Sequence, residues 1–372
     1  MARHRRKRTQ NQGQSRLERL PFELQLVILE NMSSCEDLTL LVATSYTLCA
    51  VYDQYKKSIL AIVIQRTLGE AFIEACMLQH WRNNIDTNFG ENEPWDLDQP
   101  YRHIQLKFIH EWCEHSTASS EDQIQTMKRL LTAEDFEQIL KFYATVVKPL
   151  SRPFIEKPTP EHDFTTQFPP SEPDPTPLAP WRITATERQR IMRTLYRYEI
   201  CSRLYGPHFE STRAPQMGLN GSLMRMVEKD FFGMFDANEI EELRFVYVGL
   251  ALELHKSWKL IESATDWRGV LGARPEHAAL YSAWSFSYYS GSRRLIGLGG
   301  LVEGALAMGL EPLSAVRSAA TADDVAKILL AKTPPDVEGF IWGTLSQLEE
   351  AHHFSGGDGP ARPESWSDEF WG

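Results

Sequence analysis

Apolar side chains recur along this chain at intervals of three and four, the spacing that lines one face of an α-helix. In "RLPFELQLVILENM" (19–32), Leu24, Ile28 and Leu29 form such a stripe, with Val27 beside them. Pro21 stands at the first turn of that helix, where a missing amide costs no intrahelical bond. A break at "SSCED" follows. Ser34 and Asp37 then make a capping box ahead of Leu38, Leu41 and Val42. From Thr44 a third helix sets Leu48, Val51, Tyr52 and Tyr55 on one face, with the same spacing available through Ile59, Ile62, Val63 and Leu68.

Later segments repeat the pattern. Residues 121–147 hold two shorter helices, with Thr132 and Asp135 as a cap. "TATERQRIMRTLYRYEICSRLYGP" (184–207) opens on Thr184 and Glu187 and carries Ile191, Leu195, Tyr198 and Leu204; Gly206-Pro207 is expected to stop it. Residues 236–258 start with Asp236 and Glu239 and place Ile240, Leu243, Tyr247, Leu250 and Leu254 at helical spacing. Helices are also expected over 321–330 and 334–354. Alternating Val/Ile/Thr runs are few, no Asn-Gly hairpin joins two of them, and no repeat of 20 to 50 residues is present. The fold class expected is all-α: a small N-terminal three-helix unit, then an irregular multi-helix domain.

Two segments interrupt the helices. The first is the basic stretch before residue 16. The second, 149–180, holds ten of the chain's 21 prolines. Proline lacks a backbone donor and pushes its predecessor out of the α region, so this stretch is expected to be an extended linker or surface loop, not a helix. The expected divisions are a disordered tail over 1–15, the three-helix module over 16–60, and a helical region over 61–148. The linker follows over 149–180, a helical C-terminal domain over 181–354, and a flexible tail over 355–372.

Composition sharpens this picture. The chain is 42% hydrophobic and 24% charged, enough to bury a core, and no apolar run approaches the roughly 18 residues of a membrane span. Residues 1–19 hold seven Lys/Arg against Glu18, about +6; removing that from the chain's −11 leaves −17 for the rest. An acidic body repels phosphates and argues against general nucleic-acid binding. "RHRRKR" (Arg3 to Arg8) reads as a nuclear-import signal, a phosphate-contacting arm, or a solvated tail. No apolar segment follows it, so an intracellular protein, cytoplasmic or nuclear, is expected. Cys35, Cys49, Cys76, Cys113 and Cys201 are scattered and read as buried free thiols.

Catalytic constellations do not emerge. "GLGGLVEGALAMG" (297–309) lacks dinucleotide-turn spacing and follows no strand, and neither a phosphate-cradling loop nor a nucleophile elbow occurs. In "HEWCEH", His110 and Cys113 share a helix face but His115 points away, short of the four convergent ligands zinc takes. Glu241/Glu242 and Asp323/Asp324 are adjacent in sequence and so diverge on a helix. The aromatic-rich "YSAWSFSYYSGSRR" (281–294) reads as core packing ahead of a peptide groove. No catalysis, metal or cofactor is expected.

Three helices in about 35 residues bury little apolar surface by themselves, and such a unit completes its core by docking elsewhere. "LPFELQLVILENMSSCEDLTLLVATSYTLCAVY" resembles an F-box: Leu-Pro-x-Glu-Leu, Ile-Leu, Asp-Leu-x-x-Leu, then a Ser before a third helix. Leu20, Pro21, Glu23, Leu24, Ile28, Leu29, Asp37, Leu38, Leu41, Ser45 and Leu48 carry the resemblance, over about residues 16–60. Tyr52 and Tyr55 stand where the motif often has Trp or Arg. The resemblance implies a docking module for the Skp-type adaptor of cullin–RING (SCF) ubiquitin ligases. It implies partner-binding by Leu20, Pro21, Glu23, Leu24, Ile28, Leu29, Leu38, Leu41, Val42 and Leu48, with the remainder capturing a protein substrate. More loosely, "ERQRIMRTLYRYEI", "FDANEIEELRFVY" and the Trp-Gly of "SDEFWG" resemble uncharacterised F-box proteins of filamentous fungi. The rival expectation is a helical nuclear scaffold or binding protein with no ligase role, whose first three helices are simply core.

Overall fold

The helical spacing is realised almost throughout. The computed structural model describes residues 15–85, 100–156, 183–211, 227–263, 287–288, 295–296, 306 and 309–332. After a 3-10 turn at Leu17–Arg19 come α1 (Phe22–Glu30), α2 (Cys35–Thr44), α3 (Tyr46–Leu68) and α4 (Phe72–Ile85). Then follow α5 (Pro100–Ser116), α6 (Ser120–Leu130), α7 (Ala133–Phe142), α8 (Lys148–Glu156) and α9 (Ala185–Ser211). The last are α10 (Ala237–Ser263), α11 (Leu310–Ser318) and α12 (Ala322–Lys332). The exception to the all-helical expectation is a two-residue antiparallel pairing of Ser287–Tyr288 with Leu295–Ile296. The expected helix at 334–354 and most of 281–309 lie outside the described residues.

Side-chain caps set many of the helix starts. Thr132 and Asp135 form a reciprocal box, and Thr184 with Glu187 and Asp236 with Glu239 do the same. Ser34, Ser119 and Thr321 each accept an amide from the third residue on. Each such bond satisfies an amide that the helix itself leaves orphaned.

Two expectations about proline need correction. Residues 149–156 are helical, with Pro153 inside α8. Pro149 has no N–H for the carbonyl four residues back. The chain ahead of it widens into a π turn over Tyr143–Val147, closed by the Lys148 N–H on the Tyr143 carbonyl. Val146, Leu150 and Phe154 recur every four residues and are all buried, so packing retains the helix despite the lost rungs. Likewise α9 continues through Gly206-Pro207 to Ser211. Its run from Leu195 to Leu204 is largely buried, and that packing overrides the local stop signal.

The chain divides into two compact units: Met1–Glu93 with His110–Arg197, and Pro94–Ile109 with Tyr198–Gly372. Two of the dividing points, 109/110 and 197/198, fall inside α5 and α9. Residue 60 is interior to α3, a single helix kinked at Tyr55 (φ −118°, ψ 19°).

In the first unit α3 is the common wall. It packs against α1 and α2, and also against α6 and α7. Ile59, Leu60 and Ala61 are consecutive and all buried, which takes contacts around roughly 200° of the helix. Lys56 pairs with Glu137 at 2.7 Å, and Lys128 donates to Ser58 at 3.0 Å. Within this apolar interior the Arg197 Nε lies 3.0 Å from Glu74 Oε1, both side chains nearly excluded from water. Burial pushes the Glu74 carboxyl above its ordinary range even though Arg197 and Arg193 pull the other way.

In the second unit α10, α11 and α12 pack on one another, and Tyr198, Leu204, Phe231, Phe232, Tyr247, Leu250, Leu310, Leu313, Val316 and Val325 are buried. Gly309, at φ +88°, carries no side chain to cap α11. The wholly buried Glu199 does so instead, accepting the Leu310 N–H at 2.5 Å and Arg203 Nε at 2.9 Å.

Two substitutions test these interiors. Arg197→Met removes the hydrogen-bonded partner of a buried carboxylate and should cost about 3–5 kcal/mol at neutral pH in urea unfolding. Because the folded-state value of Glu74 is raised, its protonated form favours the fold. The deficit should therefore shrink as pH falls toward the ordinary carboxylate range and grow as pH rises. A Cβ at Gly309 would meet Glu199 Oε2 at 2.4 Å, so Gly309→Ala should destabilise by more than about 1 kcal/mol.

Candidate functional site

The first three helices hold together through a shared set of buried side chains. Gln25 and Leu29 are buried on the inward face of α1, with Phe22 half-buried beside them; Cys35 and Leu38 are buried on α2, and Leu48 and Val51 on α3. Phe22 meets the Tyr55 ring at 5.1 Å between centroids. At the far end Arg66 donates to the Glu30 carbonyl and, at 3.1 Å, to Asn31 Oδ1, while Cys35 Sγ contacts Thr67 Oγ1 at 3.2 Å. Thus α1 runs in the same direction as α3, and α2 runs back.

This packing uses one flank of α1 and leaves the other apolar flank in water. Leu24 is 49% exposed and Val27 50%, with Pro21 exposed at the helix start. On α2, Leu40 is 66% exposed, and Tyr46 at the head of α3 is 90% exposed. Leu17, in the turn ahead of α1, is exposed as well. A surface helix of a lone globular unit normally turns polar residues outward. An α1 that is apolar on both flanks and covered on one is therefore a candidate partner site.

The ten residues expected to bind a partner separate accordingly. Pro21, Glu23 and Leu24 are exposed; Leu20, Ile28, Leu41 and Val42 are half-buried. Leu29, Leu38 and Leu48 are buried inside the three-helix module. The exposed Leu17, Val27, Leu40 and Tyr46 lie outside the expected set. Only Val27 carried a sequence signal, as a neighbour of the α1 stripe.

Charge at the site is held by short local bonds. Glu18 lies below the usual carboxylate range because the Ser15 amide and then the Ser45 hydroxyl donate to it. Asp37 is lowered by Ser34 and Ser33, and Glu36 by its hydrogen bond from Lys148. Burial pushes the Cys35 thiol up to about 11 and the Tyr52 hydroxyl to about 12, so both stay neutral and unreactive near pH 7. All five cysteines are free thiols, but the expectation that all are buried fails: Cys49 is half-buried and Cys113 exposed.

Elsewhere, His110 is exposed and His115 half-buried. Among the described residues no group of three or more His, Cys, Asp or Glu is placed to hold a metal, and no helix is long and apolar enough to cross a membrane. No protein-family model matches the chain, and no curated protein or solved structure matches it either.

The two flanks of α1 make opposite predictions. Leu29→Ala should lower unfolding free energy by about 2–5 kcal/mol, because it empties a sealed position. Leu24→Ala should change it by no more than about 0.5 kcal/mol. Urea titration of both variants reads the difference; equal losses would mean that Leu24 is core.

Proposed function

We propose that this chain is a non-catalytic, substrate-recruiting subunit of a cullin–RING ubiquitin ligase, docking on a Skp-type adaptor through α1, α2 and the start of α3. The observation that carries the reading is the uncovered flank of α1. Pro21 and Leu24, two of the positions that resemble the F-box pattern, lie in water together with Val27, while Leu29, Leu38 and Leu48 of the same pattern build the support beneath. Leu40 and Tyr46 enlarge the contact, and tyrosine is among the residue types that dominate interface energies. A standard interface of roughly 1,600 Å² is large enough to hide them. The adaptor then links the chain to a cullin. The protein substrate is captured by the remainder of the chain, and the transfer chemistry belongs to other subunits. The fungal likeness and an intracellular location are parts of the same proposal.

The test is binding of the full-length chain to purified Skp-type adaptor. Wild type should bind at micromolar concentration or better. Leu24→Asp with Val27→Asp should weaken binding by about 100-fold or more, since each anchor is worth about 1–3 kcal/mol. Raising salt should change the affinity little. Affinity that collapses with ionic strength instead assigns the contact to the basic run Arg3 to Arg8 and favours the scaffold reading. No wild-type binding at micromolar adaptor overturns the proposal.

A further inference from the structure

We infer that Gln25 and Glu18 are positioning residues of the docking surface, strapping residues 15–20 onto the α1–α3 module so that Leu17, Leu20 and Pro21 form its edge. The inference rests on the docking reading above and adds how that surface is held in shape.

Gln25 is the unexpected member of the inward face of α1. It is 3% exposed, at a position where a leucine would bury more apolar area, so its amide has a polar task. Its Nε2 faces three backbone carbonyls: Leu20 at 3.0 Å, Glu18 at 3.2 Å and Leu17 at 3.4 Å. Two N–H groups serve three acceptors, and the two shorter contacts are the principal bonds. All three carbonyls belong to the turn ahead of α1. That turn is held internally by Arg19 N–H on the Arg16 carbonyl and Leu20 N–H on the Leu17 carbonyl, at 3.3 and 3.2 Å. A segment so short does not sustain a turn unaided, because fixing its dihedrals outweighs the bonds gained.

Glu18 ties the same segment on its other side. Its carboxylate accepts the Ser15 N–H at 2.7 Å and the Ser45 hydroxyl at 2.8 Å. Ser45 is the joint between α2 and α3, and its oxygen also accepts the Leu48 N–H at 3.3 Å, capping α3. One hydroxyl thereby connects the leading segment to both helices. The residues adjoining this junction include Leu17 and Tyr46, both exposed. With the strap intact a partner meets an ordered edge. With it released, the same partner must order six residues on binding and loses affinity by that cost.

The experiment uses the full-length chain and two readouts, amide hydrogen exchange at Arg19 and Leu20 and titration with purified adaptor. Gln25→Leu keeps the burial and removes the donors. Exchange at both amides should accelerate about 10-fold or more. Adaptor affinity should fall about 10-fold, with the thermal midpoint little changed. Gln25→Glu sets a carboxylate against three carbonyl oxygens and should exceed Gln25→Leu in both readouts. Glu18→Gln keeps an acceptor without its charge and should fall between wild type and Gln25→Leu. Unchanged exchange in Gln25→Leu and Gln25→Glu overturns the strap, as does accelerated exchange with wild-type affinity. If wild type itself does not bind adaptor, the docking reading fails alone: accelerated exchange then still supports the strap, and unchanged exchange removes it too.

Discussion

Burial of α3 on opposite sides is the constraint from which the first unit follows. A helix with buried residues at three consecutive positions cannot sit at the edge of a two-helix packing. It needs cover on both sides, and the chain supplies α1 and α2 on one and α6 and α7 on the other. Because α1 is committed to α3 through the face that carries Phe22 and Leu29, its second apolar flank has nothing left to face within the module. The exposed Leu24 and Val27 are thus a consequence of how α3 is buried, not a separate feature added at the surface.

Polar groups inside the fold show the same economy. Each buried side chain with a role in the argument meets a specific backbone or charged partner. Gln25 serves the carbonyls ahead of α1, Glu199 serves the first amide of α11, and Arg197 serves Glu74. Leaving any of these half-satisfied is costlier in a low-dielectric interior than replacing the pair by apolar groups. Such contacts therefore choose one arrangement among several that hydrophobic burial alone would permit. Gln25 is the case closest to function, because the segment it orients carries part of the proposed adaptor contact.

Interruptions of regular helix are equally traceable. The kink at Tyr55 lies where that ring packs on Phe22, and the π turn at Tyr143–Val147 lies directly before Pro149. In both cases side chains on the two sides of the irregularity stay buried, so the backbone gives way locally and the packing persists.

How much of this was legible in the sequence depends on the range of the interaction. Caps such as Ser34 with Asp37, Thr132 with Asp135 and Thr184 with Glu187 act within three residues, and helical spacing acts within four, so both can be read directly from residue order. The all-helical class and the starts of several helices came from those signals. Which flank of α1 is covered did not. Leu24 and Leu29 are equally apolar, and only the position of α3 makes one surface and the other core. The same holds for Gln25, for the buried Glu199 capping a helix 111 residues away, and for the prolines that α8 tolerates. Local hydrogen bonding is written in neighbouring residues; burial is decided by what a distant segment brings against them.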